Sequence, residues 1–172
     1  MTFLMGGWRN GRRGGLKIPC PQGRVGSIPT PPRFSLMNIW FMSTEPDDYP
    51  WESLAREGRC RWDGVKGTAA QKFMREMAPG DLVVGYESSP VKAITALARV
   101  ASGPYLDSTD PEGKRHVIDL VPDRRLSHPI PLAELRAHPI LGNMKSVRMP
   151  RLSISPVTAA EWKAIRKLGG MV

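Results

Sequence analysis

Long apolar segments are missing from this chain of 172 residues. No run reaches the roughly 18 apolar residues that a membrane-spanning helix needs, so we expect no membrane partner. The first residues also lack the basic start and apolar centre of a secretory signal peptide. The two cysteines, Cys20 and Cys60, form no CxxC pair. We therefore expect two free thiols in a reducing compartment, which favours a cytoplasmic protein.

The sequence also lacks the short motifs of common enzyme and cofactor sites. No GxGxxG follows a strand, and neither a GxxxxGK[ST] phosphate loop nor a GxSxG turn occurs. His116, His128 and His138 are widely spaced, and none belongs to an HExxH motif or lies near a cysteine pair. We therefore expect no cofactor and no metal site, and we favour a binding protein over an enzyme.

Two weaker catalytic candidates were considered. The adjacent Asp47 and Asp48 precede Pro50, where they are better placed to favour a helix N-terminus than to act as an acid/base pair. Cys60 lies between two arginines, which would lower the pKa of its thiol, but no general base is identifiable. A half-buried thiol at a strand edge is the preferred interpretation of Cys60.

Acidic residues are absent from residues 1–36. This segment holds six basic residues, seven glycines and five prolines, and its apolar residues follow neither a helical nor a strand period. We predict a disordered tail, because such a segment buries too little apolar surface to offset its chain entropy. Residues 37–172 hold 19 basic and 16 acidic residues, so the net charge of +9 says little about the folded part.

Three interpretations of this tail stay open. It can be an over-extended start, with Met37 as the true first residue, and this interpretation is preferred. It can be a targeting peptide, since it is rich in arginine and lacks acids. It can also be a flexible RNA-binding arm, since a basic segment binds polyanions without specificity.

From Met37 onward the sequence predicts alternating short strands and helices. Five apolar or β-branched segments are predicted as strands: 38–43, 82–87, 93–100, 116–121 and 147–154. Four segments that start at a proline or a capping-box threonine are predicted as helices, beginning near Pro50, Thr68, Pro131 and Thr158. Trp40 and Trp162 are predicted in the core. The pattern predicts a mainly β, α+β fold: a small, partly closed β-barrel of about five strands with three or four short helices.

Four segments in this order resemble the EVE domain family, which is related to the PUA, ASCH and YTH folds. They are IWFMSTEPDDYPWESL, RWDGVKGTAAQKFMREMAPGDLVVGYESS, HPIPLAELRAHPILGNM and RLSISPVTAAEWKAI. The first carries the family's Ser-x-Glu-Pro after a tryptophan-containing strand, and the second its Trp-Asp-Gly-Val loop. The resemblance covers nearly all of residues 37–170 and implies a PUA-like EVE domain over residues 37–172.

The resemblance implies a pocket between the first strands and the Trp-Asp-Gly-Val loop. Related domains use such a pocket to hold a flipped-out base, in some cases a modified one. An aromatic ring stacks on a base for roughly 1–3 kcal/mol, and hydroxyls can then bind the base edge. In this sequence Trp62 is the expected stacking platform and Tyr86 a second wall. The expected polar contacts are Ser43, Ser88 and Ser153, with Lys66 and Arg151 at phosphate or at the rim.

Each of these residues also has a purely structural interpretation. Trp62 can belong to the core, and Tyr86 can pack at the end of its strand. The three serines can be hydrogen-bonding residues at strand ends. Lys66 and Arg151 can be solvated charges.

Two positions depart from the family's pattern. Many EVE domains have Arg-Asn after Trp-Asp-Gly-Val, whereas this chain has Lys66 and Gly67 and so lacks an amide that could bind a base. Glu87 stands where a histidine often follows the tyrosine. A carboxylate near the pocket would disfavour phosphate and favour an amino-bearing base such as cytosine or adenine.

Three functions compete. The preferred one is a nucleic-acid-associated binding module that recognises a base, preferentially a modified one, in RNA or DNA. A small-ligand binder or hydrolase of the ASCH type would need a lysine and a carboxylate in the pocket, for which Lys66 with Glu45 or Glu87 is the candidate set. The third is a structural or interaction protein with a vestigial pocket.

Overall fold

A mixed β-sheet organises residues 37–171, the part of the chain that the computed structural model describes. In this range there are seven strands: β1 (Ile39–Thr44), β2 (Cys60–Trp62), β3 (Leu82–Glu87), β4 (Ala93–Val100), β5 (Tyr105–Leu106), β6 (His116–Pro131) and β7 (Ile154–Pro156). The same range holds five α-helices: α1 (Trp51–Glu57), α2 (Thr68–Glu76), α3 (Leu132–Ala137), α4 (Lys145–Arg148) and α5 (Ala159–Leu168). A 3-10 turn covers Leu141–Asn143. The predicted tail, residues 1–36, lies outside the described residues.

The sheet has the strand order β2-β6-β4-β3-β1-β7, and β5 pairs with β6. The pairings are antiparallel except that of β1 with β3, where Trp40 lies opposite Val83. Register shifts interrupt β3–β4 after Gly85 and occur twice in β4–β6. Because such irregularities increase twist, the sheet curls into a half-barrel. The predicted partly closed barrel is therefore confirmed, with one parallel pair in it.

Several elements are shorter or longer than predicted. The strands β2, β5 and β7 have three residues or fewer, which is too short to leave a period in the sequence. The strand β6 continues to Pro131, whereas the predicted strand ends at residue 121. The second half of β6 is mostly exposed and rich in charged residues and proline, so its sequence lacks the apolar pattern that predicts a strand. Of the described helices, none is long and apolar enough to cross a membrane.

The predicted strand over 147–154 is wrong. Residues 145–148 form α4, Met149 is 56% exposed, and within the range only Ile154 enters a strand, β7. Leu152 is buried as expected. The alternation of apolar and polar residues therefore reflects alternating burial along an irregular turn. A short helix followed by a turn can give the same alternation as a strand.

The ends of two helices follow the predicted chemistry. In α1, Gly58 adopts a left-handed φ of 75° and its N–H donates to the Leu54 carbonyl, so the helix ends there. In α5, Thr158 Oγ1 accepts from the Glu161 N–H, and the Glu161 carboxylate accepts from the Thr158 N–H. The predicted capping box at this second helix is confirmed.

The start of α2 differs from the prediction. The expected capping box of Thr68 and Gln71 is wrong, since the N-cap is Gly67 and no side chain caps the helix. The buried Gln71 amide instead donates to the carbonyls of Val65 and His116 at 2.8 and 3.0 Å. It thereby ties the Trp-Asp-Gly-Val loop to β6.

Apolar residues form two clusters, one on each face of the sheet. Along β1, Trp40 and Met42 belong to the first cluster with residues of α1 and α2, and Phe41 belongs to the second with residues of α3 and α5. Trp40 is therefore core as predicted. The prediction that Trp162 is core is wrong, since Trp162 is only half-buried and packs against the border of the second cluster.

The buried carboxylate of Asp81 holds β1 to the turn after α2. Only 3% of Asp81 is exposed. Its two oxygens accept the Asn38 N–H at 3.1 Å, the Trp40 indole N–H at 2.8 Å and the Ala78 N–H at 3.0 Å. The Trp40 indole has this carboxylate as its hydrogen-bond acceptor inside the core.

Asp81→Ala should lower the free energy of unfolding by about 2–4 kcal/mol, because three donors lose a buried acceptor. The control Asp123→Ala removes a carboxylate that pairs with the half-exposed Arg99 and should cost less than about 1 kcal/mol. Urea denaturation followed by tryptophan fluorescence measures both. Equal losses in the two variants would contradict the role given to Asp81.

Gly85 in β3 makes room for the indole of Trp51, the first residue of α1. A Cβ at Gly85 would come within 2.5 to 2.8 Å of three ring atoms of Trp51. The Trp51 indole N–H donates to the Tyr86 carbonyl at 3.2 Å, and its backbone N–H to Glu87 Oε1 at 3.0 Å. The same indole stacks on Trp62, with ring centroids 5.0 Å apart and planes 14° apart. Gly85 therefore fixes Trp51, and Trp51 fixes Trp62.

Gly85→Ala should lower the free energy of unfolding by about 1–3 kcal/mol, because the added methyl group overpacks the space of the Trp51 ring. Thermal unfolding by circular dichroism measures the loss. Gly64→Ala is the matched control, since a Cβ at Gly64 meets no atom within 4 Å. If both variants unfold at the wild-type temperature, the Trp51 ring is free to move and the argument fails.

Candidate functional site

A cavity of about 390 Å³ opens where β1 and β2 end, and we call it the Trp62 cavity. Its walls come from residues 43–45, 48–49 and 60–66 and from Ser153. Pockets for small ligands have volumes of roughly 300–1,000 Å³. The Trp62 cavity is therefore large enough for a flat heterocycle.

Trp62 belongs to the core and also lines this cavity. Its exposed fraction is 8%, and Trp51 stacks on its ring. Tyr49 approaches the Trp62 ring edge-on, with centroids 5.8 Å apart and planes at 89°. Because Trp51 already covers one face of the indole, a ligand can use only the part of the ring that borders the cavity.

Two hydrogen bonds hold Tyr49 in the cavity wall. Its hydroxyl donates to Glu57 Oε2 at 2.8 Å, and its carbonyl accepts from Thr44 Oγ1 at 2.7 Å. Burial raises the pKa of Tyr49, and hydrogen bonds with Cys60 and Glu57 raise it further. Tyr49 therefore stays neutral and forms a stationary wall beside Trp62.

Cys60 lies in the same wall and is not activated. Burial raises the pKa of its thiol and outweighs the hydrogen bond with Tyr49, which lowers it. The arginines on either side are each paired with an aspartate: Arg59 with Asp119 and Arg61 with Asp107. The structure agrees with a half-buried thiol on an edge strand, β2. Cys20 lies outside the described residues.

Acidic side chains outnumber basic ones in the walls of the Trp62 cavity. The ionisable residues besides Tyr49 and Cys60 are Glu45, Asp48, Asp63, Arg61 and Lys66. Arg61 is already paired with Asp107, so among residues 37–171 three exposed carboxylates of the wall face one lysine, Lys66, without an ion-pair partner. Among residues 37–171, no three His, Cys, Asp or Glu side chains come together in a way that could hold a metal ion. The rim therefore repels phosphate and attracts hydrogen-bond donors.

The predicted site residues divide between this cavity and a second one. Four of them line the Trp62 cavity: Ser43, Trp62, Lys66 and Ser153. Tyr86 and Ser88 line a cavity of about 200 Å³ beside α3, which we call the Arg136 cavity; Ser43 borders both. Arg151 is exposed and lines neither.

Tyr86 does not face Trp62 across one pocket as expected. Its ring packs against Phe41, with centroids 5.4 Å apart, on the other face of the sheet. Burial raises the pKa of Tyr86, and the nearby Arg136 guanidinium acts in the opposite direction. The aromatic wall beside Trp62 is Tyr49, which the sequence analysis missed because a residue in a turn leaves no period.

Glu87 does not bring a negative charge to either cavity. It is buried and accepts the Trp51 N–H at 3.0 Å, so it satisfies a donor at the start of α1. The expectation that Glu87 lies near the pocket is wrong, because α1 begins directly against its side chain. The lysine–carboxylate pair that a hydrolase would need therefore reduces to Lys66 and Glu45.

Comparisons with known proteins agree with this architecture. A sequence model of the EVE domain matches residues 38–168. Thymocyte nuclear protein 1 of Danio rerio is 28% identical over 164 residues, which cover 75% of this chain and 71% of that protein.

Two solved structures share the fold. The protein Rpa0253 from Rhodopseudomonas palustris is 34% identical, with a TM-score of 0.75 over 78% of this chain and 94% of that chain. The human THYN1 protein, solved in complex with 5-methylcytosine containing DNA, is 26% identical, with a TM-score of 0.70 over 77% of this chain and 97% of that chain. The family match spans all four segments that carry the sequence resemblance, and it covers the whole half-barrel. This chain belongs to the EVE domain family.

Proposed function

We propose that this chain is a nucleic-acid-binding module that holds a nucleobase, preferentially a modified one, in the Trp62 cavity. One observation carries the proposal: an indole forms part of the wall of a cavity of about 390 Å³ whose rim bears hydroxyl and carboxylate groups. An aromatic ring gains roughly 1–3 kcal/mol by stacking on a base. The base must leave its strand to enter such a cavity, as bases do in enzymes that flip them out.

The related human THYN1 protein supports a ligand class. That protein was solved with DNA that contains 5-methylcytosine. Cytosine and adenine carry an exocyclic amino group, which carboxylates can accept as a donor. Three exposed carboxylates border the Trp62 cavity, on Glu45, Asp48 and Asp63. They favour an amino-bearing base over thymine or uracil.

The walls support only a modest preference for a methylated base. The apolar surfaces of Trp62, Tyr49 and Val65 can cover a methyl group. Burying one methylene-sized group gains about 0.8 kcal/mol, which is about fourfold in affinity. We therefore expect methylation to raise affinity several-fold and the amino group to decide which bases bind.

Binding is favoured over hydrolysis by the state of the candidate acid/base pair. Lys66 and Glu45 are both exposed at the Trp62 cavity. Neither side chain forms an ion pair or a hydrogen bond with another residue between 37 and 171. Acid/base catalysis needs groups held within hydrogen-bond reach of the reacting atoms, and nothing orients these two.

Trp62→Leu should weaken the binding of an oligonucleotide that contains 5-methylcytosine by about tenfold, because the part of the indole that borders the Trp62 cavity is lost. Fluorescence anisotropy with the full chain and single-stranded DNA or RNA measures this affinity at two salt concentrations. Trp162→Leu is the matched control, since Trp162 borders the second apolar cluster and lies outside the Trp62 cavity. It should leave the affinity within about twofold.

Two further variants separate the charge of the cavity from the charge of the whole chain. Asp48 lines the Trp62 cavity, whereas its exposed neighbour Asp47 does not. Asp48→Asn should reduce the preference for cytosine over thymine, and Asp47→Asn should not.

Binding that is uniform among bases and falls steeply with salt would instead point to residues 1–36. Turnover of an N-acylated nucleoside that is lost in Lys66→Ala would favour the hydrolase.

Gly67→Asn should raise the affinity for the same oligonucleotide about three- to tenfold, because it adds an amide beside Lys66 that can hydrogen-bond a base. The backbone permits the change, since Gly67 is extended with φ −69°. A Cβ added at Gly67 would lie 4.0 Å from its nearest neighbour, the Ala70 Cβ, so there is room for the side chain. Asparagine also suits an N-cap, so thermal stability should not fall. Gly67→Ala is the control without the amide, and equal affinities of the two variants would show that the amide has no ligand.

A further inference from the structure

The Arg136 cavity differs from the Trp62 cavity in charge. Its lining includes two cations, Lys92 and Arg136, and no aspartate or glutamate. The Trp62 cavity is bordered by three carboxylates. An anionic group of a ligand is therefore favoured in the Arg136 cavity and disfavoured in the Trp62 cavity.

Both cations are available to a ligand. Neither Lys92 nor Arg136 takes part in an ion pair with another described residue. Lys92 also has a left-handed backbone with φ 52°, a conformation that suits glycine better than lysine. The backbone of this turn does not require a lysine at position 92. An anion bound beside Arg136 would explain the lysine, because its ammonium group could contact that anion.

Ser146 adds an unsatisfied polar group to the same cavity. It lines the Arg136 cavity, is only 8% exposed, and its hydroxyl has no hydrogen-bond partner among the described residues. A buried hydroxyl without a partner is unfavourable. The oxygens of a phosphate group accept hydrogen bonds from hydroxyls and from cations alike.

The size of the cavity limits what it can hold. Its volume of about 200 Å³ is below the roughly 300–1,000 Å³ of pockets that enclose a whole small ligand. Much of the remaining wall is apolar, from Phe41, Leu135 and Leu152 among others. A phosphate group with part of its sugar therefore fits this cavity better than a complete nucleotide.

The two cavities adjoin. Ser43 lines both of them. Leu152 lines the Arg136 cavity, and the next residue, Ser153, lines the Trp62 cavity and accepts the Ser43 N–H at 2.8 Å. The exposed Arg151 precedes this pair. Although the cavities belong to opposite faces of the sheet, they meet at Ser43 near the end of β1, so a nucleic-acid strand that passes this end with a base in the Trp62 cavity can bring an adjacent linkage to the Arg136 cavity.

We propose that the Arg136 cavity binds the phosphodiester next to the base held in the Trp62 cavity. Lys92 and Arg136 supply the positive charge, and the Ser146 hydroxyl donates a hydrogen bond to a phosphate oxygen. This proposal rests on the proposed function, because the bound base defines which linkage is meant. A free phosphate ion has the same chemistry, and the experiment separates the two sources.

The test compares single-stranded oligonucleotides that differ in one linkage. Each carries 5-methylcytosine at its centre, and the linkage on the 5′ or the 3′ side of that base is either the natural phosphodiester or an uncharged methylphosphonate. With the full wild-type chain, one of the two replacements should weaken binding about tenfold, because it removes a charge-assisted contact. In Arg136→Gln and Lys92→Gly, the natural oligonucleotide should bind more weakly and the methylphosphonate effect should shrink to about threefold or less.

Arg166→Gln is the matched control for charge. Arg166 is an exposed arginine of α5 that lines neither the Trp62 cavity nor the Arg136 cavity. This variant should leave the methylphosphonate effect unchanged. Lys92→Gly should unfold at a temperature no lower than the wild type, since glycine suits φ 52°, so weaker binding by this variant cannot be assigned to unfolding.

Each remaining outcome decides the proposal. Three outcomes overturn it: a methylphosphonate effect that persists undiminished in both variants, no effect of either linkage, and no measurable binding of any oligonucleotide.

An abasic site in place of 5-methylcytosine tests the proposed function separately. A base-dependent affinity without a linkage effect supports that function alone. A linkage effect through Arg136 without base dependence supports the phosphate site alone. Competition by inorganic phosphate that Arg136→Gln abolishes would mean a free-anion site and would overturn the assignment to nucleic acid.

Discussion

The position of the Trp51 indole governs both the fold and the candidate site. Gly85 lets the ring lie against β3. The Tyr86 carbonyl accepts the indole N–H of Trp51, and the Glu87 carboxylate accepts its backbone N–H. Trp62 then stacks on the same ring. These contacts join α1, β2 and β3, which are distant in sequence. The three-residue strand β2 could not hold a large side chain in place alone, so the stack makes the cavity wall rigid before a base arrives. A preformed wall lowers the ordering cost of binding.

The two cavities carry opposite charges, which is the basis of both proposals. Carboxylates border the Trp62 cavity, where a base would be recognised, and cations border the Arg136 cavity, where a phosphate would be held. If a strand binds as proposed, this separation disfavours a phosphate in the Trp62 cavity. Affinity and base selection can therefore be altered by different substitutions, which is why Arg136 and Asp48 are informative targets.

Much of the fold could be predicted because burial periods and capping residues act locally. The Thr158–Glu161 capping box and the strand over 82–87 needed only neighbouring residues to be recognised. The site depended on contacts between distant segments, so less of it could be predicted. Tyr49 lies in a turn without a period, and Lys92 and Arg136 come together only through α3 and the β3–β4 turn. Trp62 could be named because the family's Trp-Asp-Gly-Val loop marks it.

The chemistry of the Trp62 cavity implies that the amino group of a base is selected more strongly than its methylation. A buried methyl group contributes about fourfold, and phosphate contacts raise the affinity for every sequence alike. The carboxylates of Glu45, Asp48 and Asp63 are hydrogen-bond acceptors. A base that presents a carbonyl oxygen to them therefore places two acceptors opposite each other, and no hydrogen bond forms. Where the bound base shields such a contact from water, an unsatisfied polar group costs about 1–3 kcal/mol, which exceeds the methyl contribution. Gly67 would strengthen this bias, because no side-chain amide at that position can donate to a carbonyl oxygen. Cytosine and adenine should therefore be separated from thymine and uracil more sharply than methylated bases from unmethylated ones.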